Sequence, residues 1–223
     1  MSTIVLPGAV PAKVIEQIRA RMAAGPFVSG KLSAVGRAAA IKNNLLLAPD
    51  SASAAGAVEL LAGALQTSVP FQVAAWPEAM MQPMFCRYEV GMGYGDHVDA
   101  AIMGEAPSQL RVDVSMTVCL SDASEYDGGE LVIDAAGAPR AWKGSAGDAI
   151  VYPSDTLHRV APVTRGVRDV AITWVQSMVR EADRRRILFD LRSALDALDA
   201  SPSPPPFTEA VRRSYFNLIR MWA

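Results

Sequence analysis

The chain contains two histidines, and their placement limits what its fold must bring together. His97 closes the β-like stretch FCRYEVGMGYGDHVD in the frame His97-Val98-Asp99. His158 lies far downstream in YPSDTLHRV, and Arg168 follows it in PVTRGVRDV. Alternation along a strand puts residues i and i+2 on one face, so His97 and Asp99 can both address one ion. A histidine from a second strand completes a set of two imidazoles and one carboxylate. That set leaves positions open on Fe(II) for a chelating co-substrate and O2. Arg168 adds a planar, permanently charged fork that matches a carboxylate bidentately, as a lysine cannot. A lone histidine is more often structural, and a lone His-x-Asp is a weak signal. Here both histidines of the chain enter the pattern, with an arginine after the second.

The surrounding texture changes twice. PAKVIEQIRARMA (11–23) sets Val14, Ile15, Ile18 and Met22 at helical spacing, with Pro11 in a first turn. A glycine-punctuated stretch follows, and then a strand is expected around IKNNLLLA. Its Lys42-Asn43-Asn44 cluster stands either at the mouth of a ligand site or at a solvated strand end. A second helix is predicted over 51–66, capped by Asp50 or Ser51. From Phe71 the chain reads as short strands: FQVAAW, MFCRYEVG, VDVSMTVCL, ELVIDA, PRAWK, DAIVYP and DVAITWVQSMV. Turns such as Tyr126-Asp127-Gly128-Gly129 and Lys143-Gly144 punctuate them, which indicates a sandwich or barrel. Between 111 and 120, Val112, Val114, Met116, Val118 and Leu120 share one face. Arg111, Asp113, Ser115, Thr117 and Cys119 share the other, and a polar interior face suits a hydrophilic ligand. Arg111 and Asp113 stand where they can meet a polar substrate or form an ion pair.

Past Ser177 the pattern is helical again. Ile187, Leu188, Leu191, Leu195 and Leu198 form a stripe, with Arg184-Arg185-Arg186 read as a solvated face. SPSPPP is a short stiff linker, and FTEAVRRSYFNLIRMWA is an amphipathic end that must dock on its own domain or on another subunit. The expected division is 1–179 for a core domain with N-terminal helices and 180–223 for a C-terminal helical extension.

At 223 residues and 51% hydrophobic, the chain can bury a full core. A net charge of -2 and a pI near 5.7, without a basic patch, give no reason to expect nucleic acid as a partner. No apolar run reaches the ~18–20 residues that span a bilayer, and the first residues lack a signal-peptide pattern. Cytoplasmic placement without membrane partners is the expectation. Cys86 and Cys119 are too few for a disulfide framework and read as buried free thiols.

Several ordered motifs carry a resemblance. YEVGMGYGDHVD, LSDASEYDGGEL, AGDAIVYPSDTLHRV, PVTRGVRDVAITWVQSMV, RRRILFDL, SYFNLIRMWA and the early IKNN are similar to elements of the Fe(II)/2-oxoglutarate-dependent dioxygenases of the prolyl-hydroxylase superfamily. In particular they resemble the bacterial PKHD-type, PiuC-like hydroxylases. Tyr88, Gly91, Tyr94, His97 and Asp99 meet the pattern Tyr-x-x-Gly-x-x-Tyr-x-x-His-x-Asp. The resemblance spans nearly the whole chain. It implies a mainly β fold with flanking helices around a double-stranded β-helix (jelly-roll) core. It also implies iron held by His97, Asp99 and His158, and the distal carboxylate of 2-oxoglutarate held by Arg168 with help from Tyr88. Trp174 resembles the family tryptophan that packs near the iron-bound histidine. Collagen-type relatives are expected to use lysine where Arg168 stands, which favours the PKHD-like branch. The implied reaction hydroxylates a C–H bond as 2-oxoglutarate and O2 give succinate and CO2. Ascorbate is an accessory cofactor that the resemblance allows. In related halogenases a small residue replaces the carboxylate, so Asp99 implies hydroxylation. The implied substrate is a peptidyl prolyl or lysyl residue or a small metabolite, and the apolar C-terminal helices allow a homo-oligomer. A non-catalytic, cupin-type jelly roll that merely holds an ion is the alternative reading.

Overall fold

The computed structural model describes residues 3–134 and 137–223. The chain opens with β1 (Ile4–Leu6), α1 (Ala12–Ala24) and β2 (Phe27–Ser29), followed by a 3-10 turn at Gly30–Ser33 and α2 (Gly36–Ala40). Next come β3 (Lys42–Asn43), β4 (Leu45–Leu47), α3 (Ala52–Thr67) and α4 (Val69–Ala75). The central strands are β5 (Pro77–Met80), β6 (Met84–Tyr88), β7 (Gly93–His97), β8 (Ile102–Met103), β9 (Leu110–Arg111) and β10 (Val114–Cys119). They continue with β11 (Tyr126–Gly128), β12 (Leu131–Asp134), β13 (Pro139–Trp142), β14 (Ala149–Pro153), β15 (His158–Val160), β16 (Val163–Gly166) and β17 (Arg168–Ser177). Helices α5 (Ala182–Asp199) and α6 (Thr208–Trp222) end the chain.

The major sheet runs β1-β14-β10-β17-β6-β4-β2, with β5 beside β17, and the minor sheet runs β13-β12-β15-β7-β3. Neighbouring strands in both are antiparallel. Strand alternation divides the side chains of the major sheet between two cores. Phe85, Val114, Met116, Val151 and Ala171 pack outward with Ile18, Met22, Leu61, Leu65 and Phe71 of the helices. Cys86, Tyr88, Ile150, Tyr152 and Val170 pack inward with Leu131, Ile133 and Val160 of the minor sheet. The expected mainly β jelly roll with flanking helices is the architecture found.

Sequence and structure agree on α1 and on α3, where Ser51 Oγ accepts from the Ala54 N–H as a cap. FQVAAW is a correction: residues 69–75 form α4, not a strand. Its aromatic and β-branched residues favour strands, but Pro70 presets a first helical turn and Phe71, Ala74 and Ala75 are buried at helical spacing. IKNNLLLA splits into β3 in the minor sheet and β4 in the major one, with Asn44 between them. The strand ELVIDA is β12, and its Ala135 lies outside the described residues. Both cysteines are buried and free.

The C-terminal helices pack on each other around Leu188, Leu195 and Tyr215, with Val179 and Trp76 at the same core. Two sequence readings fail here. Ile187 is exposed, and Arg185, in the run read as solvated, is 4% exposed. Its guanidinium donates to the carbonyls of Val179 (2.8 Å), Arg180 (2.7 Å) and Asp113 (3.2 Å). Arg111 and Asp113 form an ion pair. Nε and Nη2 of Arg111 donate to the two carboxylate oxygens at 2.7 and 2.8 Å, and the Ser177 N–H donates to the same carboxylate at 2.9 Å.

Candidate active site

His97 closes β7, His158 opens β15, and the two are cross-strand partners. Asp99 follows β7 on a segment whose N–H donates to the Ser154 carbonyl at 3.3 Å. Ligand atoms of His97, Asp99 and His158 all lie within 4.8 Å of one another, the spacing of donors that can share one ion. Among the described residues this is the one such cluster.

The protein fixes the direction of each donor. Nδ1 of His97 lies 2.8 Å from the Gly95 carbonyl oxygen, and Nδ1 of His158 lies 2.9 Å from that of Thr156. A carbonyl only accepts, so each Nδ1 carries the proton and each Nε2 keeps its lone pair for a metal. Nε2 of His158 is 3.9 Å from Oδ2 of Asp99. Ser115 Oγ donates to that same oxygen at 2.5 Å and sets the rotation of the carboxylate. The Tyr94 ring stacks on His97 with centroids 3.7 Å apart, and the Tyr152 ring meets His158 edge-on at 5.1 Å. Burial first, and then the neighbouring His158, push the His97 pKa down to about 4, so its imidazole is neutral near pH 7.

Arg168 opens β17 opposite Tyr88 of β6, and its guanidinium lies 5.0 Å from the centre of the Tyr88 ring. It is 2% exposed, and its Nη1 has no hydrogen-bond partner. No ion pair among the described residues includes it. The Gly128-Gly129 turn crosses this guanidinium closely. A Cβ on Gly129 would stand 2.9 Å from Arg168 Cδ, and its φ of +68° is one that a side chain disfavours. Burial also raises the Tyr88 phenol above its ordinary pKa, which keeps it protonated as a donor.

The triad and Arg168 open on one cavity of about 900 Å³ between the sheets. Drug-sized ligands occupy cavities of roughly 300–1,000 Å³, so space remains beside a five-carbon diacid. Ser115 and Thr117 line it, as the alternation over 111–120 predicts, but Met81, Met84, Leu131, Val160 and Ile172 make much of its wall apolar. Trp174 lines the wall, while the rings against the two histidines are Tyr94 and Tyr152. Sequence reasoning assigns no ligand role to Ser115. The polar face of the 111–120 strand is the signal that marks it. Of the two positions the sequence allows Lys42, the structure has the one at the ligand site: it lines the cavity and is buried.

Residues 83–176, which hold the triad and Arg168, match the 2OG-Fe(II) oxygenase superfamily. A PKHD-type hydroxylase of Methylobacterium nodulans is 42% identical over 98% of this chain and 97% of its own length. One from Acaryochloris marina is 41% identical over 95% of each. The chain belongs to the PKHD-type hydroxylases. Solved structures share the fold of this PKHD-type chain at much lower identity. A prolyl hydroxylase of Trichoplax adhaerens, solved with a hypoxia inducible factor peptide fragment, gives a TM-score of 0.59 at 15% identity over 84% of this chain and 86% of that one. A Pseudomonas putida prolyl-4-hydroxylase gives 0.54 at 19% identity over 79% and 92%. The PKHD-type hydroxylase described here is therefore an Fe(II)- and 2-oxoglutarate-dependent dioxygenase that uses O2 to hydroxylate a substrate. Its residues fit both cofactors. Two imidazoles and a carboxylate are a donor set for Fe(II), and a buried guanidinium with an unpartnered nitrogen is a seat for a carboxylate.

Proposed function

We propose that His97, Asp99 and His158 hold the Fe(II), and that Arg168, assisted by Tyr88, holds the distal carboxylate of 2-oxoglutarate. The observation that carries this reading is the pairing within one cavity of a three-donor cluster and a buried arginine without an acidic partner. Bound iron and co-substrate supply the oxidising chemistry, which couples decarboxylation of 2-oxoglutarate to hydroxylation of a C–H bond. The protein's own residues bind and orient. Ser115 donates to the Asp99 oxygen that lies nearest His158 and fixes the rotation of the carboxylate. The Gly95 and Thr156 carbonyls hold the imidazoles in one tautomer. Arg168 gives two parallel donors to a carboxylate, and the Tyr88 ring beneath it restricts where that carboxylate can lie. Met84, Leu131 and Ile172 keep water from the wall of the site.

The reading extends to a substrate that is a peptidyl prolyl or lysyl residue or a small molecule, a cytoplasmic location in keeping with two free buried thiols, and no nucleic-acid or membrane partner. It treats 180–223 as a helical extension of a 1–179 catalytic domain. The exposed Phe216 and Met221 of α6 support self-association through it, which concentration-dependent molar mass tests. The site itself is tested by anaerobic titration of Fe(II)-loaded protein with 2-oxoglutarate, followed by admission of O2. A visible charge-transfer band that is lost on oxygenation, with succinate formed by wild type and not by His158→Ala, is the expected result. Metal binding with neither band nor succinate would leave a cupin-type ion-binding jelly roll.

A further inference from the structure

The cavity contains a second cation that the co-substrate leaves unused. Lys42 lies on β3, cross-strand from Tyr94, and is 3% exposed. Its ammonium donates to Ser33 Oγ at 2.8 Å and sits 5.0 Å from the centre of the Tyr94 ring, one ring removed from His97. An ammonium has three donors, and a neutral hydroxyl engages one. No ion pair among the described residues includes Lys42. Asp99 lines the same cavity and favours the charge on Lys42, but no carboxylate lies within ion-pair distance of the ammonium, so two of its donors are open to an anion that arrives.

In the assignment above, 2-oxoglutarate carries one carboxylate to the metal and the other to Arg168. Neither remains for Lys42. We propose that Lys42 binds a carboxylate of the primary substrate, and that this substrate presents its carboxylate from an apolar body. The rim argues for the apolar part. Leu32 and Val35, 76% and 87% exposed, line the cavity with Val98 and Ile102, which are also exposed. Single exposed apolar residues are ordinary, but four at one mouth form a contact surface. Ser33, the partner of Lys42, lies between Leu32 and Val35 in sequence, so the anion post and the apolar rim are joined. The inference rests on Arg168 serving the co-substrate.

The test uses the full chain loaded with Zn(II) and saturated with 2-oxoglutarate, which occupies Arg168. Binding of 13C-carboxyl-labelled hexanoate is compared with that of hexan-1-ol by NMR. Wild type should bind hexanoate at least tenfold more tightly. Lys42→Met should abolish that preference, Lys42→Arg should retain it, and the 2-oxoglutarate midpoint should stay within twofold in both. Lys42→Gln replaces Lys42→Met should the latter fail to fold. Equal binding of the two probes by wild type, or a preference that survives Lys42→Met, overturns the proposal. A tenfold rise in the 2-oxoglutarate midpoint of Lys42→Met also overturns it, and assigns Lys42 to the co-substrate. Wild type that binds no 2-oxoglutarate at all defeats the Arg168 assignment first, and this inference with it.

Discussion

Arg168 and Arg185 are both almost fully buried, yet they are treated in opposite ways. Arg185, where α5 meets the core, has its guanidinium taken up by three backbone carbonyls, one of them on Asp113, whose carboxylate is in turn closed by Arg111 and Ser177. Arg168, in the cavity, keeps an unpartnered nitrogen. A charge whose needs are met within the chain holds the chain together. A charge left short in a cavity is held ready for a ligand, and the fold bears its desolvation cost in advance.

The largest test of the contrast removes the ion. His97→Ala or His158→Ala should abolish succinate formation and sharply weaken Co(II) binding, read by titration of the visible bands. Arg168→Ala should raise the 2-oxoglutarate requirement by about 2–5 kcal/mol of lost binding, read as a shifted midpoint, because a carboxylate loses its charged partner. Its melting temperature should fall by less than that of Arg185→Ala, since no carboxylate or backbone carbonyl loses its partner. Arg185→Ala should do the reverse. It should lose roughly 2–4 kcal/mol of stability to denaturant, because buried carbonyls go unpaired, at an unchanged 2-oxoglutarate midpoint. Should the two arginine variants behave alike, the distinction fails. Ser115→Ala leaves both arginines alone and should weaken metal binding by about 10–100-fold, as loss of a partner to a metal ligand does.

The last effect is one of pH. In the metal-free protein the His97 ring signals should titrate near pH 4, below the ordinary histidine value of 6.5. The unfolded chain then takes up a proton at His97 as pH falls through 6.5 while the folded chain does not. Stability is lost between those two values and levels off below the lower one. A His97 resonance that titrates near 6.5 would show that the site is wetter than its burial implies.

Much of the site was legible because rare residues carried it. Two histidines, one His-x-Asp and one later arginine left few ways to build the centre, and His97, Asp99, His158 and Arg168 all open on the same cavity. What stayed hidden depended on tertiary partners. Ser115 fell on the correct face, but nothing local says that it reaches Asp99. The sequence leaves Lys42 between a site mouth and a solvated strand end, because the break at Asn44 that sends β3 to one sheet and β4 to the other has no local signature. Arg185 stood in a run of three arginines, where only packing decides which one is enclosed. FQVAAW was misread because its composition favours strands, while its helix is fixed by Pro70 and by burial against the sheet.

The cross-strand pairing of His97 with His158 has one more consequence. In the proposed assignment the ion is a rivet between β7 and β15, so the order of the minor sheet becomes a gauge of metal loading. Amide exchange along Gly93–His97 and His158–Val160 should slow on loading and quicken on chelation, while β10 and β14 in the major sheet hardly respond. Iron status would then be readable in the backbone before any turnover is measured.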